Sequence, residues 1–92
     1  MVIDLQGVTM DSIMPWQALL DEALAKGDCE LRFTGSGQAK SALLALTVQW
    51  IRKALDKGME PKIYGFPENV LTLAKVYGIM DVISPYLGTD SN

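Results

Sequence analysis

Apolar positions along this chain switch repeatedly between two periods, and glycine, proline or helix-capping residues stand at the switch points. Val2, Ile3 and Leu5 read as a short strand over Val2–Leu5, closed by Gly7. Thr9 to Ser12 offer capping side chains, with Asp11 and Ser12 best placed, and Pro15 suits a first helical turn. Trp16, Leu19, Leu20, Ala23 and Leu24 then recur at helical spacing until Lys26-Gly27 ends the run. Trp16 is expected to be a core anchor. Cys29, Leu31 and Phe33 alternate with Glu30 and Arg32, which predicts a strand over Cys29–Thr34 with one buried face.

A longer helix is predicted from Lys40 to Lys57, stopping at Gly58. Leu44, Val48, Ile51 and Leu55 form one stripe and are expected to be its core face. Leu43, Thr47, Trp50 and Ala54 form a second stripe about a quarter-turn away. That second stripe either lies beneath a neighbouring helix or offers apolar area to a partner. Pro61–Phe66 reads as a third strand centred on Lys62-Ile63-Tyr64, and Pro67 opens a helix through Val70, Leu71, Leu73, Ala74 and Val76 to Gly78. Ile79 to Leu87 suggests a last short helix around Pro85, and Gly88 to Asn92 a frayed tail.

Strands alternating with helices imply crossover connections and a largely parallel sheet, hence an α/β fold in one domain over residues 1–92. In such sheets ligands and partners gather at the carboxyl ends of the strands, where the Thr34–Ser41 loop falls. A polar loop feeding a helix start suits an anion, a phosphorylatable hydroxyl or a partner's carboxylate. The simplest role for Ser41 is a first-turn or capping residue, and for Lys40 a solvated cation. The run Thr34-Gly35-Ser36-Gly37-Gln38-Ala39-Lys40-Ser41 shares the Lys-Ser pair of a P-loop. Thr34 and Ala39, however, stand where that motif needs its two glycines, so nucleotide hydrolysis is not expected.

Composition narrows the classes further. Hydrophobic residues make up 49% and charged residues 21%, which is the balance of a folded domain. A net charge of −3 with no basic run argues against nucleic acid, which needs clustered lysine and arginine. Histidine is absent and Cys29 is the one cysteine, which removes Ser-His and Cys-His catalysis, internal disulfides and zinc spacings. No cofactor or metal is implied, and an enzymatic role is not expected. A single thiol fits a reducing compartment, and the N-terminal residues lack the pattern of a signal peptide. With no apolar run of about 18 residues, the chain is expected to be cytoplasmic, without direct membrane insertion.

Lys40-Ser41-Ala42-Leu43-Leu44-Ala45-Leu46, then Lys62-Ile63-Tyr64-Gly65-Phe66-Pro67 and the stretch Leu71–Gly78, together resemble a STAS domain, and more narrowly its MlaB-like branch. Gly7-Val8-Thr9-Met10 matches a further family position, and the likeness spans roughly residues 2 to 87. The resemblance implies a STAS-like α/β fold, a small mixed and largely parallel sheet of three to five strands flanked by three to four helices. It implies a binding module centred on the hydroxyl of Ser41. In the MlaB-like branch that surface docks on the ATPase subunit of a phospholipid-transporting ABC system, which would place the chain peripherally at the inner membrane. In the anti-sigma-factor antagonist branch, a partner kinase phosphorylates the hydroxyl to break a complex.

Carried over, the partner-binding residues are Lys40 and Ser41 for polar contacts and Leu43, Thr47 and Trp50 for apolar area, with Ser41 the phosphorylation position. Lys40 and Arg32 stand where the family carries aspartates. That exchange reverses the local potential by about 1 kcal/mol per charge pair and favours meeting an acidic patch. The chain also starts at the family's second strand. An edge near Val2–Leu5 would then be free to pair with a second copy in a homodimer.

Overall fold

The structure is a computed structural model that describes residues 1–9, 13–35 and 40–88. Its strands are β1 (Val2–Asp4), β2 (Glu30–Thr34) and β3 (Lys62–Tyr64), and its helices α1 (Ile13–Ala25), α2 (Lys40–Asp56), α3 (Glu68–Val76) and α4 (Met80–Ile83). The strands pair in parallel in the order β1-β2-β3, with Val2 opposite Arg32, and Arg32 opposite Tyr64. Both crossovers step the same way across the sheet, so a common handedness puts α1 and α2 on one face. Ile3, Leu31, Phe33 and Ile63 point into that face and are 0–6% exposed. The alternate residues face outward, as the period of two requires.

The outward face is polar. The Arg32 guanidinium sits 4.6 Å from the centre of the Tyr64 ring and 3.4 Å from a Glu30 carboxylate oxygen. Lys62 pairs with Glu60 at 3.6 Å. Parallel sheets usually bury both faces; here no helix among the described residues covers this side, which carries charged and hydrogen-bonding side chains beside the exposed Val2.

Several boundaries differ from the sequence reading for local reasons. β1 stops at Asp4 because its carboxylate accepts the Gln6 N–H at 3.0 Å, which turns Leu5–Gly7 into a 3₁₀ turn with Leu5 buried. Cys29 lies outside β2 and is only half-buried. Trp16 is also half-buried; its Nε1–H donates to the Gly7 carbonyl at 3.0 Å, so it latches α1 to the turn after β1. Asp11 and Ser12, the expected caps of α1, lie outside the described residues, as does the tail from residue 89. After α4 the chain makes a 3₁₀ turn at Ser84–Tyr86, and Leu87 bridges Ile63 in parallel, with the Gly88 N–H donating to the Ile63 carbonyl at 2.7 Å.

Helix α2 is central, packed between α1 and α3 above the sheet. Its side chains at Ala42, Leu43, Leu44, Leu46, Thr47, Trp50, Ile51 and Ala54 are all buried. The expected core stripe is therefore only part of the buried surface. Leu44 and Ile51 belong to it, Val48 is half-buried, and Leu55 is 45% exposed beyond its neighbours.

Two stability tests follow from the backbone. Gly65 has φ +71°, and a Cβ there would stand 2.6 Å from the Phe33 carbonyl oxygen; Gly58 has φ +73° with open space around it. Gly58→Ala should cost about 1–2 kcal/mol from the left-handed backbone alone, and Gly65→Ala clearly more, because β2 must also move. Urea midpoints of the two variants will show the difference. Asp28 is held below its ordinary carboxylate value, chiefly by the Met1 ammonium at 2.8 Å; burial opposes this, and the Glu30 N–H adds to the lowering. Its contribution is complete above the unfolded value near about 4 and fades as pH falls through the lower folded value. Asp28→Asn should therefore flatten the acid limb of a stability–pH curve and leave no new transition near neutrality.

Candidate functional site

Ser41 occupies the first turn of α2, where the backbone N–H groups lack intrahelical acceptors. It is exposed, and its hydroxyl has no partner among the described residues. Lys40 beside it is exposed as well. The loop of residues 36–39 that would complete a phosphate cradle lies outside the described residues.

Leu43, Thr47 and Trp50 do not flank Ser41 as open apolar area. They are 4%, 1% and 1% exposed, and the Thr47 hydroxyl donates to the Leu43 carbonyl at 2.8 Å. The second stripe is buried because α1 packs over it: Gln17 bonds Gln49 at 2.6 Å and Lys53 pairs with Asp21 at 2.7 Å across the α1–α2 seam. The indole N–H of Trp50 is sealed in the core with no acceptor. These three residues hold the helix in place and present nothing to a partner.

Arg32 is separated from Ser41 too. Leu31 and Phe33 face the helices, so Arg32 faces the open side of the sheet and packs on Tyr64. The basic pair expected to surround the hydroxyl is thus divided between two faces, and Lys40 alone accompanies it.

What the fold does place beside Ser41 is a shallow groove of about 330 Å³. One wall is the outer side of α2, with Leu44, Ala45, Val48 and Gln49. The other is the turn between α3 and α4, with Tyr77 and Ile79. Tyr77 ends α3 as its C-cap, and Gly78 at φ +72° swings the chain back towards α4. Tyr77 is 58% exposed and Val76 74%, so an apolar patch continues past the groove. Chemically the site offers one hydroxyl, one amide and one phenol around apolar walls, a set that suits an apolar side chain plus one or two hydrogen bonds. Among the described residues no group of three or more His, Cys, Asp or Glu could hold a metal ion, and no helix is long and apolar enough to cross a membrane.

Ala45, Gln49, Tyr77 and Ile79 escaped the sequence reading, and Val48 was assigned to the core. A signal was available: Ser41, Ala45, Gln49, Arg52 and Asp56 repeat at three- and four-residue intervals and mark the exposed side of α2. The pairing of that side with Tyr77 was not readable locally. No family model, no curated protein and no solved structure matches this chain.

Core and groove positions on the same helix should separate cleanly. Trp50→Ala is expected to cost about 3–5 kcal/mol, and Val48→Ala under about 1 kcal/mol because half of the side chain already meets water. Trp50→Phe should be much milder than Trp50→Ala, since it removes a donor that has no acceptor. Denaturant titrations of the three variants measure this order.

Proposed function

We propose that the chain is a non-enzymatic interaction module, a STAS-like accessory subunit of the MlaB type. In this reading it docks on the ATPase of a phospholipid-transporting ABC system, in the cytoplasm and peripheral to the inner membrane. The observation that supports it is the exposed Ser41 hydroxyl at the lip of an apolar groove. The docking residues are then Lys40, Ser41, Ala45, Val48 and Tyr77, with Leu43, Thr47 and Trp50 supporting from below. An apolar recess with a few polar atoms at its rim is the usual form of an interface hot spot.

A second reading makes the chain an anti-sigma-factor antagonist switched by phosphorylation of Ser41. An exposed first-turn hydroxyl with no partner among the described residues is reachable by a kinase. A phosphoryl group there would meet the helix terminus and Lys40, which favour negative charge. Self-association through β1 is the weakest route. The strand is three residues long, and its Asp4 side chain is occupied in capping, both of which limit edge pairing.

The readings part in one experiment. The tagged chain should recover the ATPase from cell extract, and Ser41→Glu and Val48→Asp should each lower recovery about tenfold, with both variants still folded by circular dichroism and Ser41→Glu leaving the melting midpoint nearly unchanged. Full recovery with both variants would remove this face from consideration. Stoichiometric gain of one phosphoryl mass at Ser41 on incubation with a kinase that co-purifies would instead establish the second reading.

A further inference from the structure

We infer that the segment held in this groove is acidic: it carries an aspartate or glutamate about one helical turn from its apolar anchor, and that carboxylate pairs with Arg52. The inference rests on the docking reading above and specifies the partner's chemistry.

The distribution of ion pairs supports it. Lys26 pairs with Glu22, Arg32 with Glu30, Lys53 with Asp21 and Lys62 with Glu60. Arg52, like Lys40, Lys57 and Lys75, makes no ion pair among the described residues, although Asp56 stands one turn further along the same helix; of these four cations it is the one that borders the recess beside the groove. It is exposed, and it lines a recess of about 380 Å³ with Gln17, Gln49 and Lys53. Gln49 also lines the apolar groove, so recess and groove form one continuous surface along α2. Val48 and Arg52 are four residues apart and therefore neighbours on the helix face, about 6 Å between their Cβ atoms.

That geometry selects the occupant. A guanidinium fork binds a carboxylate through two parallel hydrogen bonds, and the flanking amides of Gln17 and Gln49 can donate to the same group. A nucleic acid or an anionic membrane would need several clustered cations. Here Lys40 stands about 18 Å away along the helix from Arg52, and the Lys53 charge is already matched by Asp21 at 2.7 Å. An apolar socket with an unpaired guanidinium one helical turn beyond it fits an amphipathic protein segment with apolar and acidic residues at a spacing of three or four.

A photo-crosslinking phenylalanine analogue, placed at Val48 or at Arg52 of the full chain in its native host, tests this. Variants are first checked for folding by circular dichroism, and the captured peptides are identified by mass spectrometry. Both positions should capture the same protein segment, with an aspartate or glutamate three or four residues from the position reached by residue 48. Arg52→Glu should lower the adduct yield at position 48 about fivefold at low salt and less at high salt. Adducts to lipid, to nucleic acid, to a second copy of the chain or to a segment without a carboxylate would overturn the inference, as would no adduct at either position. An ATPase segment lacking the acid would sink this inference and leave the proposed function standing. An acidic segment on a different class of protein would do the reverse.

Discussion

Burial of α2 on almost every side is the constraint from which the other features follow. Trp50, Ile51 and Ala54 are 1% exposed or less, pressed against α1, α3 and the sheet. The small residues Ala42, Ala54 and Ala74, each at most 1% exposed, allow the helices to approach closely. Interiors packed at this density resist any change of volume, so one truncation at the centre of α2 disturbs three neighbours together. The large Trp50 ring is retained there even though its N–H finds no acceptor. Its apolar contacts outweigh one lost hydrogen bond, which is worth about 1–3 kcal/mol when a buried group goes unsatisfied.

The interaction surface is what this packing leaves over. Before its last turn, where Lys53, Leu55 and Asp56 are exposed, α2 reaches solvent along a narrow strip that runs from Lys40 and Ser41 through Ala45 and Gln49 to Arg52. At one end lies the first helical turn with the exposed Ser41, at the other a guanidinium with no ion pair among the described residues, and the α3–α4 turn supplies an apolar wall between them. Hydroxyl, apolar socket and cation thus follow one another along a single rigid helix. A site on a rigid element loses little conformational freedom when it is occupied, which favours binding by shape and charge. The open face of the sheet, by contrast, is tied up in its own contacts, Arg32 with Tyr64 and Glu30.

Much of the fold is legible in local patterns. Lys62–Tyr64 falls where the Lys-Ile-Tyr triplet places it, and α2 begins at Lys40 and ends one residue short of the Lys57 boundary. These elements are read well because their apolar period is clear and glycine follows each of them. Leu5 was misplaced because the turn depends on one side-chain hydrogen bond from Asp4, which hydropathy does not register. Ser41 is exposed in a first turn as its position suggests, while Leu43, Thr47 and Trp50 are interior. A double apolar stripe tells that a helix has two covered sides, but not whether the second cover belongs to the same chain.

The residue pattern alone therefore settled the alternation of strands and helices, the parallel crossover connections and the presence of a hydroxyl at the start of the central helix. Each of these depends on contacts between near neighbours or on strict periodicity. Which side of that helix stays open was decided only when α1 closed over Trp50 and the turn at Gly78 carried Tyr77 to Val48. Those contacts join residues about 30 positions apart in the chain, and packing between whole elements, rather than local preference, determines them.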